Sequence, residues 1–275
     1  MGHGEGEDCN AFPYDLSFYD LSESINGLIC LNGPKPRFCN LSTRESVTLP
    51  PSRLSLPESC FSLGFDSCSN TYKILKASIT YQPGSCVCEI LTLGSKTWRA
   101  VTVDSYYFPV LKYLRSICVR GSLYWDHALL DEGLAEERFR LVPPPAGVPQ
   151  YSSLAQLDGR LAMVNYRGLI SGDTIPMWVL EDDLNGVWSM KQRIVFSSIL
   201  NDARLGLQGI PPKYFHLVPW NAEGYMLHYN LELKSFRVQS FWKPKERGLP
   251  LWTPIVINYV ESLVPLREIM NSYRS

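Results

Sequence analysis

The sequence predicts an all-β protein folded as a β-propeller of five or six blades, closed into a single domain. A unit recurs along it at near-constant spacing: a turn containing glycine, a strand-like apolar run, a second polar turn and an aromatic or apolar anchor. The anchors Val47, Trp98, Phe139, Trp188 and Phe236 stand 51, 41, 49 and 48 residues apart. Twenty prolines and nineteen glycines are spread along the 275 residues, interrupting the chain too often for long helices. Between the interruptions, runs such as Cys86-Val87-Cys88-Glu89-Ile90-Leu91-Thr92-Leu93 and Phe236-Arg237-Val238-Gln239-Ser240-Phe241-Trp242 alternate or stay apolar for the length of a strand. One small sheet cannot bury both of its faces, so sheets repeating at this period must stack on copies of themselves.

The units follow in order. The first opens at Asn26-Gly27-Leu28-Ile29, the third at Arg120-Gly121-Ser122-Leu123-Tyr124, the fourth at Asp158-Gly159-Arg160-Leu161-Ala162 and the fifth at Glu223-Gly224-Tyr225-Met226-Leu227. In the second, Ser69-Asn70-Thr71-Tyr72-Lys73-Ile74-Leu75 serves the same purpose. The glycines are expected at positive φ in tight hairpins, where other residues are strained. Trp98, Trp125, Trp178 and Trp188 lie in or beside strand-like runs, and with Tyr72 they are expected to pack between sheets as core. Short helical pieces are expected only at Phe196 to Leu205 and Pro265 to Tyr273. Leu129 to Glu137 reads as either a helical turn or an exposed acidic loop. Pro143-Pro144-Pro145 must be extended, since each proline disfavours the helical conformation of its predecessor. Pairing of a strand near Tyr14 to Leu21 with the last unit is expected to close the ring and remove exposed edges.

Composition narrows the function classes. A hydrophobic content of 45% in a chain of this length supports a large core in one domain. A net charge of −1 offers no basic field for phosphate backbones, so no nucleic-acid partner is expected. The first twenty residues have neither a basic n-region nor an apolar h-region, and no run approaches the length that spans a bilayer. The expectation is a soluble cytoplasmic or nuclear protein without a membrane partner. All eight cysteines lie within the first 118 residues, several inside apolar runs such as Leu28-Ile29-Cys30-Leu31, and read as buried reduced thiols rather than a disulfide framework.

No catalytic or cofactor constellation stands out. His3, His127, His216 and His228 have no spacing that suggests a metal site, and the Cys86/Cys88 pair lacks a second pair to complete a tetrahedron. Glu181-Asp182-Asp183 lacks the spaced ligands of a calcium loop and reads as a solvated hairpin turn. Phosphate-loop, nucleophile-elbow and dinucleotide motifs are missing. The expectation is a protein that is not an enzyme and takes no cofactor.

The order of short motifs resembles the F-box-associated domain of plant F-box proteins, a kelch-like propeller family. Ile25-Asn26-Gly27-Leu28-Ile29-Cys30-Leu31, Asn40-Leu41-Ser42-Thr43-Arg44-Glu45 and Leu49-Pro50 are similar to that domain's opening. Leu63-Gly64-Phe65-Asp66 with Tyr72-Lys73-Ile74, then Glu89 to Ser95 with Trp98-Arg99, continue the likeness. Gly121-Ser122-Leu123-Tyr124-Trp125, Glu136-Glu137-Arg138-Phe139 with Pro143-Pro144, Asp158-Gly159-Arg160-Leu161 and Met177-Trp178-Val179-Leu180 through Trp188 follow in the family's order. Tyr259-Val260-Glu261-Ser262-Leu263 resembles its close. Asn40-Leu41 departs from the family's Asn-Pro, losing a fixed φ at the turn without changing the fold.

The resemblance implies a domain over residues 25–266, an N-terminal extension over 1–24 without an F-box, and a tail over 267–275. It implies a protein-interaction module like the substrate-recognition domain of a Skp/cullin/F-box ubiquitin ligase. A Skp-type adaptor is then a partner only if an F-box is supplied. Two other classes stand beside it: a decoy that binds a target without delivering it, and a small-molecule receptor or enzyme using the propeller pocket. Contact with a protein target is expected in loops that depart from the repeat, at Tyr106, Tyr107 and Phe108 ahead of Pro109, and at Trp220 between Pro219 and Asn221. Rigid aromatics supply contact area at low entropy cost.

Overall fold

The computed structural model describes residues 20–33, 35–52, 59–79, 86–101, 116–125, 130–133, 138–146, 152–165, 174–195, 205–207, 214–219, 225–230, 235–240 and 262–271. Among them the chain forms five four-stranded sheets, each with its strands adjacent in chain order. The first holds β1 (Asp20–Leu21), β2 (Leu28–Asn32), β3 (Arg37–Asn40) and β4 (Glu45–Thr48), and the second β5 (Ser59–Asp66), β6 (Thr71–Ile79), β7 (Cys86–Thr92) and β8 (Arg99–Val101). The third holds β9 (Ser116–Val119), β10 (Ser122–Trp125), β11 (Leu130–Gly133) and β12 (Arg138–Leu141). The fourth holds β13 (Ser152–Leu157), β14 (Arg160–Asn165), β15 (Thr174–Asp182) and β16 (Val187–Val195). The fifth holds β17 (Leu205–Leu207), β18 (Tyr214–Pro219), β19 (Tyr225–Asn230) and β20 (Ser235–Ser240). The described helix, α1, is Leu266–Asn271, inside the tail where the proline-led pattern expects a helical piece.

The expected turns appear, with the residue before each glycine also in the left-handed region. Asn26-Gly27, Arg120-Gly121 and Asp158-Gly159 have positive φ at both positions, 50° and 78°, 50° and 78°, and 49° and 70°. That is the geometry of a two-residue hairpin loop whose twist matches the flanking strands. Glu223-Gly224 lies outside the described residues.

The chain divides into two compact units. One comprises Met1–Leu123, Leu130–Arg140 and Tyr259–Ser275, the other Tyr124–Leu129 and Leu141–Asn258. In the first, Leu28, Cys30, Phe38, Leu49, Leu63, Ile74, Leu91 and Leu93 from the first two sheets form a core with Leu266 and Ile269 of α1. Cys30 is fully buried among them, as the apolar run implies. In the second unit, β14 buries five consecutive residues, Leu161 to Asn165, and β15 adds Met177, Val179 and Leu180. A strand buried on both faces needs such a continuous run.

Three expectations change. Within Leu129 to Glu137 the described residues Leu130–Gly133 form strand β11, because pairing within the third sheet outweighs the weak helical propensity of the acidic residues. Of the segment Tyr14 to Leu21, only Asp20 and Leu21 are described. They pair with Asn32 and Leu31 of β2 in their own sheet, not with the last unit. The Asn26-Gly27 turn brings those partners together across a short loop, at a much lower entropy cost than a pairing across the whole chain. Finally, of the four tryptophans expected in the core only Trp125 is fully buried: Trp98, like Tyr72, is partly exposed yet packs against the core of the first unit, and Trp178 and Trp188 are partly exposed. Of the Phe196 to Leu205 helix, only Leu205 is described, and it opens β17.

Candidate functional site

Tyr106, Tyr107, Phe108 and Trp220, the residues that sequence pattern assigns to target contact, lie outside the described residues. Three of the described loops share one local device. Three hairpins join their strands by four-residue loops, with Asn40 paired to Glu45, Asp66 to Thr71 and Asp182 to Val187 across the loop base. In each, the first residue's Oδ1 accepts the backbone N–H groups two and three positions on. Asn40 accepts from Ser42 (3.0 Å) and Thr43 (3.3 Å), Asp66 from Cys68 (2.9 Å) and Ser69 (3.3 Å), and Asp182 from Leu184 (3.0 Å) and Asn185 (3.1 Å). Each loop ends on a left-handed residue: Arg44 (φ 58°), Asn70 (φ 55°) and Gly186 (φ 63°). An Asx side chain replaces the backbone partners the loop cannot provide.

The other terminal atom of each Asx residue separates the three. Asp66 Oδ2 accepts from Ser69 Oγ at 2.7 Å and pairs with Lys73 Nζ at 3.2 Å. Burial alone would raise the Asp66 carboxyl, but hydrogen bonds from Ser69 and Lys73 and from the Ser69 and Cys68 backbone hold it below the ordinary carboxylate range. Asp182 Oδ2 accepts from the Asn185 amide at 2.7 Å. Asn40 instead turns its amide nitrogen to the C-terminal segment, donating to the carbonyls of Ser262 (3.0 Å) and Val264 (2.9 Å).

A buried polar cluster joins the chain leaving the first sheet to the second. Lys76 and Glu89 stand opposite each other on β6 and β7, with Nζ and Oε2 3.6 Å apart. Lys76 donates to Ser52 Oγ at 2.7 Å, and Ser52 in turn hydrogen-bonds the Glu89 carboxylate. Burial pushes the Lys76 ammonium below its ordinary value, against the pull of the Glu89 charge. Two residues upstream of Ser52, the carbonyl of Pro50 accepts the Trp98 indole N–H at 2.8 Å. The cluster is internally paired and buried, which makes it structural.

Among the described residues, three exposed large hydrophobic side chains lie on the β15–β16 hairpin. Leu184 at its tip is 81% exposed, and Val187 and Met190 on β16 are about half exposed. Beside them Glu181 accepts from Ser189 Oγ (2.6 Å), pairs with Lys191 Nζ (2.5 Å), and meets the guanidinium of Arg160. The Lys191 hydrogen bond first, then Ser189 and the Arg160 and Lys191 charges, hold the Glu181 carboxyl down to about 2. Exposed leucine beside an ordered polar cluster can meet another protein surface. Among the described residues no three His, Cys, Asp or Glu side chains are placed to hold a metal ion, and no helix is long and apolar enough to cross a membrane.

The sequence reads Glu181-Asp182-Asp183 as a solvated hairpin turn, which it is, and Asn40-Leu41 as a turn, but it does not single out the Asx side chains at 40, 66 and 182 that cap these loops. The signal was there: an Asn or Asp five positions before the next strand, with Arg, Asn or Gly four positions on. His216 and His228 also become register partners across β18 and β19, an adjacency their separation along the chain conceals.

The fold and its site describe a repetitive β scaffold of four-stranded sheets joined by loops. The family described as F-box associated beta propeller domain matches residues 7–249. Among curated proteins of Arabidopsis thaliana, "Putative F-box protein At4g38870" is 30% identical over 190 residues, 62% of this chain and 44% of that protein. "F-box protein At1g48060" is 27% identical over 238 residues, 82% of this chain and 55% of that one. "F-box/LRR-repeat protein At2g43260" is 26% identical over 218 residues, 74% and 49% of the two chains. This chain therefore spans about half the length of the relatives it matches. It belongs to the F-box-associated β-propeller family, as its ordered motifs imply.

Proposed function

We propose that this chain is the target-binding module of a Skp/cullin/F-box ubiquitin ligase, holding a protein while other subunits transfer ubiquitin. The observation that carries the reading is the family match over residues 7–249, together with relatives named as F-box proteins. Five four-stranded sheets in chain order support five kelch-like blades, one per sheet. In that reading the domain does no chemistry of its own. Specificity lies in its loops, which vary independently of the scaffold. Tyr106, Tyr107, Phe108 and Trp220 are proposed as target contacts on their sequence pattern, and Leu184 on its exposure.

The test is capture from plant tissue with this chain and with a version carrying an F-box at its N-terminus, followed by mass spectrometry. Both should retain the same target, and only the second should retain a Skp-type adaptor and support ubiquitination of that target. Shared targets that are never ubiquitinated with the F-box version would overturn the ligase role. Adaptor retention by this chain alone would overturn its dependence on a supplied F-box.

A further inference from the structure

Asn40 is fully buried, and its side-chain amide uses all four of its hydrogen-bonding positions. Two acceptor positions hold its own turn, and two donor positions reach the carbonyls of Ser262 and Val264. Around it, Ser42 Oγ accepts the Ser262 N–H at 3.0 Å, and Glu45 Oε2 accepts the Leu266 N–H at 2.8 Å while also taking the Thr43 hydroxyl at 2.9 Å. Three side chains of one β3–β4 hairpin thus engage four backbone groups of residues 262–266. Beyond them Leu266 and Ile269 enter the core of the first unit, while Leu263, 80% exposed, and Val264 face away.

We propose that the β3–β4 hairpin is a receptor for an extended peptide backbone, and that the C-terminal segment 262–270 is its resident, releasable ligand. The comparison with the other two Asx hairpins carries this inference. Asp66 and Asp182 serve the same turn with a carboxylate, whose second oxygen accepts a local donor. Only an amide could face two carbonyls at that place, and position 40 is where the chain uses asparagine. The four bonds from Asn40, Ser42 and Glu45 to residues 262–266 all go to main chain, so they hold the segment by its backbone form. Side-chain selection falls to the pair Leu266 and Ile269, spaced three apart on one face of α1. The segment is therefore a clasp fixed at a few points, and such elements open locally at less cost than the sheets beneath them. Its release would remove Leu266 and Ile269 from the core cluster of the first unit, beside Asn40, Ser42 and Glu45, and leave a site for another extended segment with the same apolar pair.

Asn40→Asp separates the two duties of the residue. It keeps the oxygen that Asp66 and Asp182 show to be sufficient for the turn, and it replaces the two donors with an acceptor aimed at carbonyls. Limited trypsin cleavage after the exposed Arg267, followed by mass spectrometry, should be at least about tenfold faster in this variant, with the circular dichroism unchanged. In a second variant, Leu266→Asp with Ile269→Asp, the clasp is detached while the hairpin is intact. A fluorescent peptide of residues 259–275 should bind that full-length variant and not the parent chain, because the parent's own segment fills the site. Cleavage of Asn40→Asp at the parental rate would overturn the proposal. So would failure of the peptide to bind the natively folded second variant, or release of the segment in the parent only together with global unfolding.

Discussion

The Trp98 indole donates to the Pro50 carbonyl at 2.8 Å, and in the other unit the Trp188 indole donates to the Pro143 carbonyl at the same distance. Both acceptors are prolines two residues beyond a fourth strand, β4 and β12; of the donors, Trp98 immediately precedes β8 and Trp188 is the second residue of β16, the fourth strands of the following sheets. The recurring tryptophan is thus a fastener as well as a packing residue. Its ring seals the margin of a sheet, Trp98 lying edge-on to Phe61 with centroids 5.9 Å apart. Its N–H pins the chain entering from the sheet before.

These two contributions separate on substitution. Trp98→Phe keeps an aromatic ring and removes the donor, and should cost about 1 kcal/mol, the net worth of a hydrogen bond with a partly solvated acceptor. Trp98→Ala should cost about 3 kcal/mol, the low end for emptying an aromatic site, since Trp98 is half-buried. Urea unfolding of both variants checks the pair. Equal losses would assign everything to the hydrogen bond.

Gly186 and Gly159 make a second matched pair. Both have positive φ, 63° and 70°, so alanine at either carries the left-handed backbone strain of about 1 kcal/mol. A Cβ at Gly159 meets nothing within 4 Å, whereas at Gly186 it would lie 2.4 Å from Cγ of the Pro143 ring. That ring belongs to the residue whose carbonyl holds Trp188. Gly186→Ala should lower the melting temperature clearly more than Gly159→Ala, and reduce the protection of the Trp188 indole N–H in hydrogen exchange.

How far the sequence revealed this protein depends on the range of the interaction. The turns Asn26-Gly27, Arg120-Gly121 and Asp158-Gly159 were legible because two adjacent residues decide them. The strand runs were legible because their period is local. The C-terminal clasp was not, since Asn40 meets its carbonyl partners 222 and 224 residues away, and its difference from Asp66, an amide in place of a carboxylate, does not say where the amide points. The N-terminal strand is the opposite case, a local pairing where a long-range one was expected. Its apolar character was plain, but its partner was decided by the short loop of the Asn26-Gly27 turn. Trp98 and Trp188 were recognised as anchors by residue type, while their acceptors lie 48 and 45 positions earlier.

The Lys76–Glu89 pair predicts an asymmetry. Lys76→Met leaves a buried carboxylate with only Ser52 for company and should destabilise by about 3 to 5 kcal/mol. Replacing both, Lys76→Met with Glu89→Leu, removes two desolvation costs together and should recover most of that loss. A double-mutant cycle by chemical denaturation reads the coupling. If the double variant were as unstable as the single, the pair would be adding net stability to the fold.

Asp66 ties stability to acid pH. Its folded-state carboxyl titrates below its ordinary value of 3.8, so the unfolded chain takes up a proton first. The stability it contributes is fully present above that ordinary value and is lost as pH falls through the folded one. In Asp66→Asn the turn acceptor survives and the titration is gone. The stability gap between the parent and this variant should therefore shrink between about pH 6 and about pH 3, followed by urea midpoints. A constant gap across that range would mean that Asp66 acts only through its turn.

The last prediction concerns target capture, where packing and recognition pull in opposite directions. An aromatic in a loop either covers the core beneath it or waits for a partner, and only the first role contributes to the stability of the free protein. Tyr107→Ala and Trp220→Ala should each reduce retention of a target identified by the capture experiment while shifting the melting temperature little, as expected of contact hot spots. Leu184→Ser probes the described surface in the same way, and its 81% exposure means that the substitution removes almost no buried area. If stability falls in step with capture for Tyr107 and Trp220 while Leu184→Ser alone weakens binding, the two aromatics are core and the contact surface lies on the β15–β16 hairpin. If none of the three changes capture, the target is held elsewhere, and the site uncovered by release of the C-terminal clasp becomes the next surface to test.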